Sequence, residues 1–295
     1  MWIRVRGRAV QKAGNAPGEY EDAFFPRDPY MTEARGFRAA VADGATETSY
    51  SGEWARELAE GYCRQRLDVD RIEETLPRLQ GRWNQGLVGT NLPWYAQEKL
   101  RAGAYSSLVG LTIGDRLFTT EAQRAQRNTE VGGSARGRPP SAAERRVERY
   151  GREFEGAWKA VAAGDSCLFH LRAQRLLCSF PIAQAEEFSN HPALLSSLPA
   201  HNSEAPNLLR RVSGTWRSGD TFVLATDAVA HWLLDRDQED NPAFASLSAT
   251  MGCPNRFARW VGDLRTSGAM RNDDVTVLEI DISETNLENL KLLEP

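Results

Sequence analysis

Carboxylates recur in this chain at the tips of apolar runs. Ala39-Ala40-Val41-Ala42 drives into Asp43-Gly44, and Ser and Thr residues follow before a helical pattern opens at Glu53. A buried strand that ends on an acid delivers that acid to a sheet edge. The glycine beside it lets a bare backbone carbonyl come close to a bound ion. An Asp-Gly pair alone also makes ordinary turns. The pattern, however, repeats. Tyr20-Glu21-Asp22-Ala23 follows a strand candidate at Met1 to Val10, and Gly164-Asp165-Ser166 follows another at Trp158 to Ala163. Thr221 to Ala225 runs into Thr226-Asp227, and Arg271-Asn272-Asp273-Asp274 leads into the alternating run Val275 to Ile280. Carboxylates gathered in one place repel, and some take up protons unless cations sit between them. An oxygen-rich cluster with no His or Cys suits hard ions: Mg²⁺, Mn²⁺ or Ca²⁺.

Positioning such acids needs strands backed by helices. Glu53 to Gln65 places Trp54, Leu58 and Tyr62 on one face of an amphipathic helix. Asp70 to Trp83 and Pro93 to Arg101 predict further helices, and Trp83, Trp94 and Tyr95 either line a cleft or, the better fit, pack in the core. Gly103 to Thr112 and Leu108 to Phe118 read as sheet, and Cys167 to Arg172 with Arg175 to Ser179 as a hairpin. Asp240 to Arg259 reads as a loop and a helix, with Phe257, Trp260, Val261 and Leu264 at helical spacing. Leu287, Leu290 and Leu293 suit a short packed helix or a frayed end.

The ordered series Glu21-Asp22, Asp43-Gly44, Gly164-Asp165-Ser166, Thr226-Asp227 and Asp273-Asp274-Val275-Thr276 resembles the metal-dependent type 2C serine/threonine protein phosphatases, bacterial members included, over residues 1–282. The resemblance implies an α+β fold, a four-layer α-β-β-α sandwich. Two antiparallel β-sheets would pack face to face with helices on both outer sides and metals at one edge between the sheets. It implies hydrolysis of phosphoserine and phosphothreonine on proteins by a water bridging two Mn²⁺ or Mg²⁺ ions about 4 Å apart. Such ions cancel phosphate charge and activate water, which one of the slowest uncatalysed reactions requires. By the same resemblance Asp43 bridges the two ions and the Gly44 carbonyl and Glu21 serve one of them. Asp227 and Asp273 complete the other, and Asp165 helps hold a weaker third. Asp22 orients water from behind the ligands, so Asp43 and Asp22 are the catalytic candidates.

The resemblance also exposes departures. Pro17 stands where the family carries an arginine that grips substrate phosphate, which leaves Lys12 as the nearest upstream cation. Lys12 is either a point charge for the phosphate or a solvated loop lysine. Ala45 replaces a histidine that serves animal members as general acid, so leaving-group protonation would come from metal-bound water. Ala228 follows Asp227 in place of glycine, and Asp274 stands where many members have asparagine; neither removes a ligand. His231, shortly after Asp227, is a candidate proton donor, whereas His191 and His201 fit surface loops. Two rival readings stand beside the enzyme: a catalytically silent relative that binds phosphoprotein or metal, and a calcium-stabilised binding module.

Residues 119–152 are Arg-rich and poor in apolar residues, and read as a flexible insertion in a strand hairpin. It is either a basic arm for an acidic partner or a solvated insertion. Residues 180–214 show little periodicity and match the family's flap beside the active site; residues 283–295 form a tail. At 295 residues and 41% hydrophobic content the chain suits one large domain or two small ones. A net charge of -4 argues against nucleic acid as main partner. No membrane span or signal peptide is expected, and four cysteines without CxxC spacing suggest free buried thiols in a cytoplasmic chain. The partners expected are phosphorylated proteins and a paired serine/threonine kinase, met by a monomer.

Overall fold

The computed structural model describes residues 1–27, 30–45, 50–87, 102–114, 155–189, 191–202, 205–237 and 243–284. The expected helix over 93–101, with Trp94 and Tyr95, lies outside these residues. So do the insertion over 119–152 and the tail beyond residue 284.

Strand β4 (Gly36–Ala42) explains why its sequence is apolar without a break. Ala39 and Val41 face one hydrophobic cluster, Ala40 and Ala42 another, and all four are fully buried. A strand covered on both faces needs no polar alternation. The first cluster lies between two antiparallel sheets. One sheet runs β3 (Tyr30–Glu33), β1 (Trp2–Val10), β13 (Val275–Ser283), β12 (Asp220–Ala225), β8 (Cys167–Arg172) and β9 (Arg175–Phe180). The other runs β11 (Arg210–Arg217), β7 (Glu155–Ala163), β6 (Leu108–Gly114), β4 and β2 (Ala23–Phe25). Ile3, Val5, Leu278 and Ile280 from the first sheet meet Val41, Leu111, Ile113 and Trp158 from the second.

Each outer face carries helices. α1 (Ser51–Cys63) and α2 (Ile72–Leu87) cover the second sheet with Trp54, Leu58, Tyr62 and Leu79. After the short α3 (Ala205–Leu208) come α4 (Asp227–Asp237), α5 (Ala243–Met251) and α6 (Pro254–Thr266), which pack Val229, Leu233, Leu247 and Phe257 on the first sheet. The molecule is therefore an α-β-β-α sandwich, as expected. Burying each large side chain in these layers contributes about 1.5–3 kcal/mol.

Sheet pairing brings distant segments to one edge. β1 pairs β13 along its whole length, from Trp2 opposite Ser283 to Val10 opposite Val275. The loop after Val10 therefore meets the segment before Val275. Away from that edge, Asp220 is fully buried and accepts from His170 Nε2 at 2.7 Å and from Arg172 Nε at 2.7 Å. These partners outweigh its burial and hold its carboxyl down at about 2.

Two expectations need correction. The aperiodic region 180–214 includes the start of β11, an edge strand whose mostly exposed, Arg- and Ser-containing sequence hides its alternation. Residues 115–118 of the strand expected to reach Phe118 lie outside the described residues; β6 is described over Leu108–Gly114. Cys253 is exposed rather than buried, although all four thiols are free.

Candidate metal centre

The acids collect where the strands end. Asp43 leaves β4 and Asp165 leaves β7, while Asp227 follows β12 as the first residue of α4. Glu21 and Asp22 precede β2, and Asp273 precedes β13. All of these strand ends lie at one edge of the sandwich.

Backbone hydrogen bonds fix Asp43 in place. Its N–H donates to Ser107 Oγ at 3.2 Å, and its carbonyl accepts from the Ser107 N–H at 2.8 Å. Ser107 Oγ lies 2.6 Å from Ser166 Oγ, so the Asp43 and Asp165 turns share one hydroxyl pair. Gly44 pairs with Ser106 of β5 (Tyr105–Ser106), a short strand that also pairs β10 (Leu195–Ser196). A Cβ on Gly44 would lie 2.7 Å from the Glu21 carbonyl oxygen and 2.7 Å from the Ser51 carbonyl carbon. Only glycine fits where these three segments meet.

Glu21 Oε1 accepts from Ser51 Oγ at 2.5 Å, at the first turn of α1. Asp22 is buried; its Oδ2 accepts from Thr276 Oγ1 at 2.9 Å. The Thr276 carbonyl in turn accepts from the Thr226 N–H at 3.1 Å and the Thr276 N–H donates to Thr226 Oγ1 at 2.9 Å, which ties β13 to the start of α4. Asp274, also buried, accepts from the Lys12 N–H at 2.7 Å and the Glu21 N–H at 2.8 Å.

The electrostatics are those of crowded acids. Burial and the Asp274 charge push Asp22 up to about 7. Burial, then the charges of Asp22, Asp165 and Asp273, hold Asp43 well above the usual carboxylate range. Asp165 is raised by burial, with the Arg271 charge opposing. Among the described residues, Arg271 and Lys12 pair with side chains of the cluster, and Arg265 donates to the Asp273 carbonyl. Arg271 forms an ion pair with Asp227 Oδ2, and Lys12 Nζ lies 3.8 Å from Asp273 Oδ1. Sequence reasoning singled out Lys12 and missed Arg271, whose role depends on a contact across 44 positions and leaves no local pattern.

The donor set fits hard divalent ions. Asp22 Oδ1 and Asp227 Oδ1 are buried with no hydrogen-bond partner among the described residues. Buried carboxylate oxygens of this kind are costly unless a cation satisfies them. The Arg271 guanidinium already stands as one positive charge at Asp227. Among the described residues no group of three or more His, Cys, Asp or Glu side chains is arranged closely enough to hold a metal ion. His231, the candidate proton donor, is exposed on α4 and packs against Phe188, with ring centroids 5.4 Å apart.

Among solved structures, a phosphatase from Toxoplasma gondii superposes with a TM-score of 0.53 at 14% identity, covering 97% of this chain and 97% of that one. The fold is that of a phosphatase. The Mycobacterium tuberculosis serine/threonine phosphatase PstP is similar at a TM-score of 0.47 and 14% identity, covering 96% of this chain and 100% of its own. PppA of Pseudomonas aeruginosa, at 0.47 and 15%, covers 95% and 98%. No family model and no curated protein matches the sequence. At these identities the likeness of the phosphatase fold speaks for architecture, and the chemistry rests on the residues themselves. No helix among the described residues is long and apolar enough to cross a membrane.

Proposed function

We propose that the chain is a type 2C-like metal-dependent phosphatase acting on phosphoserine and phosphothreonine in proteins. The observation that carries this reading is the meeting of Asp22, Asp43, Asp165 and Asp273 as mutually repelling, buried or half-buried acids at one sandwich edge. Asp43, Asp227, Asp273, Glu21 and the Gly44 carbonyl would hold two Mn²⁺ or Mg²⁺ ions, with Asp165 toward a weaker third. The ions, when bound, supply charge neutralisation for the phosphate and an acidified water.

The chain's own groups do the rest. Asp22, held from behind by the Thr276 hydroxyl, keeps Oδ1 aimed at the cluster, where it can orient or accept a proton. Arg271 and Lys12 would turn from their acids to the phosphate oxygens once the acids are neutralised. A guanidinium offers the two-pronged grip that a lysine lacks, so Arg271 is the stronger phosphate ligand of the two. Phosphorylated proteins and a paired kinase are the proposed partners, in a cytoplasmic setting.

The silent alternative has its own support: Arg271 and Lys12 already neutralise two of the acids. Hydrolysis of para-nitrophenyl phosphate separates the readings. Turnover that needs Mn²⁺ and is lost in Asp43→Asn supports the enzyme; metal binding without turnover supports the silent domain.

A further inference from the structure

A cavity of about 490 Å³ opens on the outer face of the second sheet, away from the acids. Its origin is legible in the strand register. Gly114 lies opposite Gly36 on β4 and Ala157 on β7, so this row of the outer face carries almost no side-chain volume. The next row reads Arg38, Thr112, Lys159, Ser213 across β4, β6, β7 and β11. Residues directly opposite in antiparallel strands share a face, so this is a line of hydrogen-bond donors along the cavity floor. Arg211 and Tyr62 close the sides. Tyr62 is buried and locked by its hydroxyl to Thr112 at 2.9 Å, and Arg38 lies over its ring and donates to its carbonyl at 3.3 Å.

Charge decides the class of ligand. Arg38, Lys159 and Arg211 line the cavity against Asp68 and Asp70. Asp70 is 83% exposed at the rim, 3.7 Å from Arg211, and such a pair contributes little. Asp68 Oδ1 is occupied with the Asp70 N–H at 3.0 Å. The Lys159 ammonium forms no hydrogen bond or ion pair among the described residues. An ammonium with no partner among the described residues, beside a guanidinium and hydroxyl donors, suits a phosphate by chemistry. The volume falls within the range of about 300–1,000 Å³ usual for small-ligand sites.

We propose that this cavity binds a small phosphate-bearing molecule of about nucleotide size, at a site separate from the metal centre. Arg38 is five residues from Asp43 along β4 and Lys159 six from Asp165, separations of roughly 16–20 Å. Occupancy therefore does not require the acids.

Titration calorimetry on the chelator-treated full chain, with inorganic pyrophosphate and ADP as probes and adenosine as control, tests this. The expected result is binding of both anions and not adenosine, retained in Asp43→Asn and weakened about tenfold or more in Lys159→Ala and in Arg211→Ala. Lys159 and Arg211 are exposed, so these variants fold; unchanged melting temperatures check it. Absence of anion binding, parental affinity in both cavity variants, or loss in Asp43→Asn overturns the proposal. A phosphopeptide that binds through Lys159 and Arg211 and is not displaced by pyrophosphate overturns the small-molecule assignment.

Discussion

The main-chain N–H of Glu21 donates to Asp274 Oδ2 at 2.8 Å, joining residues 253 positions apart. The other carboxylate oxygen takes the Lys12 N–H at 2.7 Å. One buried acid thus ties the loops that carry Glu21, Lys12 and Asp273. An asparagine has one acceptor and one donor group and cannot serve both N–H groups. Asp274→Ala should cost about 2 kcal/mol or more by leaving two backbone donors without their carboxylate, and Asp274→Asn less. Urea unfolding of the two variants measures the difference. Equal stability to the parent would mean the tie holds nothing.

Gly44→Ala should disrupt the same edge by a different route. Its Cβ meets main-chain atoms of Glu21 and Ser51 within 2.8 Å, which cannot swing aside as a side chain can. A loss of about 1–3 kcal/mol is expected, together with weakened Mn²⁺ binding. Gly18→Ala is the control, because nothing lies within 4 Å of the Cβ it would gain. Thermal melts with and without Mn²⁺ compare them, and a Gly44→Ala protein that behaves like the control contradicts the packing described.

The raised carboxyls set a pH dependence. Asp22 moves from 3.8 up to about 7, so in that interval the folded chain holds more protons than the unfolded one. Its contribution therefore makes metal-free stability fall as pH rises from about 4 to about 7. Asp43 acts in the same direction. Melts in chelator should drop between about pH 4 and about pH 7, and Mn²⁺ should raise the melting temperature more at the higher pH. Asp22→Asn should flatten the trend. A metal effect larger at the lower pH runs against this.

Arg271 tests the division between metal and phosphate. In Arg271→Ala, Asp227 loses its internal counter-ion, so Mn²⁺ should bind more tightly by calorimetry. The KM for a phosphothreonine peptide should rise about threefold to tenfold because the guanidinium grip is gone. Tighter metal binding with an unchanged KM would leave Arg271 as a counter-ion with no hand in substrate binding.

The strand tips were readable because each acid stands next to one end of an apolar run, and two-sided burial leaves no polar gap in strands such as β4. Asp43, Asp165 and Asp273 lie together for that reason. The Asp274 tie was visible only as a departure from asparagine; its purpose needed the partners Lys12 and Glu21, fixed by the pairing of β1 with β13. Arg271 and the cavity on the second sheet gave no local sign, since both depend on contacts between segments far apart in the chain. β11 was hidden by exposure: an edge strand with one wet face reads like a polar loop.

Anomalous diffraction from crystals soaked in Mn²⁺ measures the central claim directly. Two manganese peaks about 4 Å apart are expected. Asp43 should lie between them, Asp227 and Asp273 on one, and Arg271 turned away from Asp227. Manganese absent from this edge, or bound elsewhere while Arg271 still holds Asp227, would contradict it.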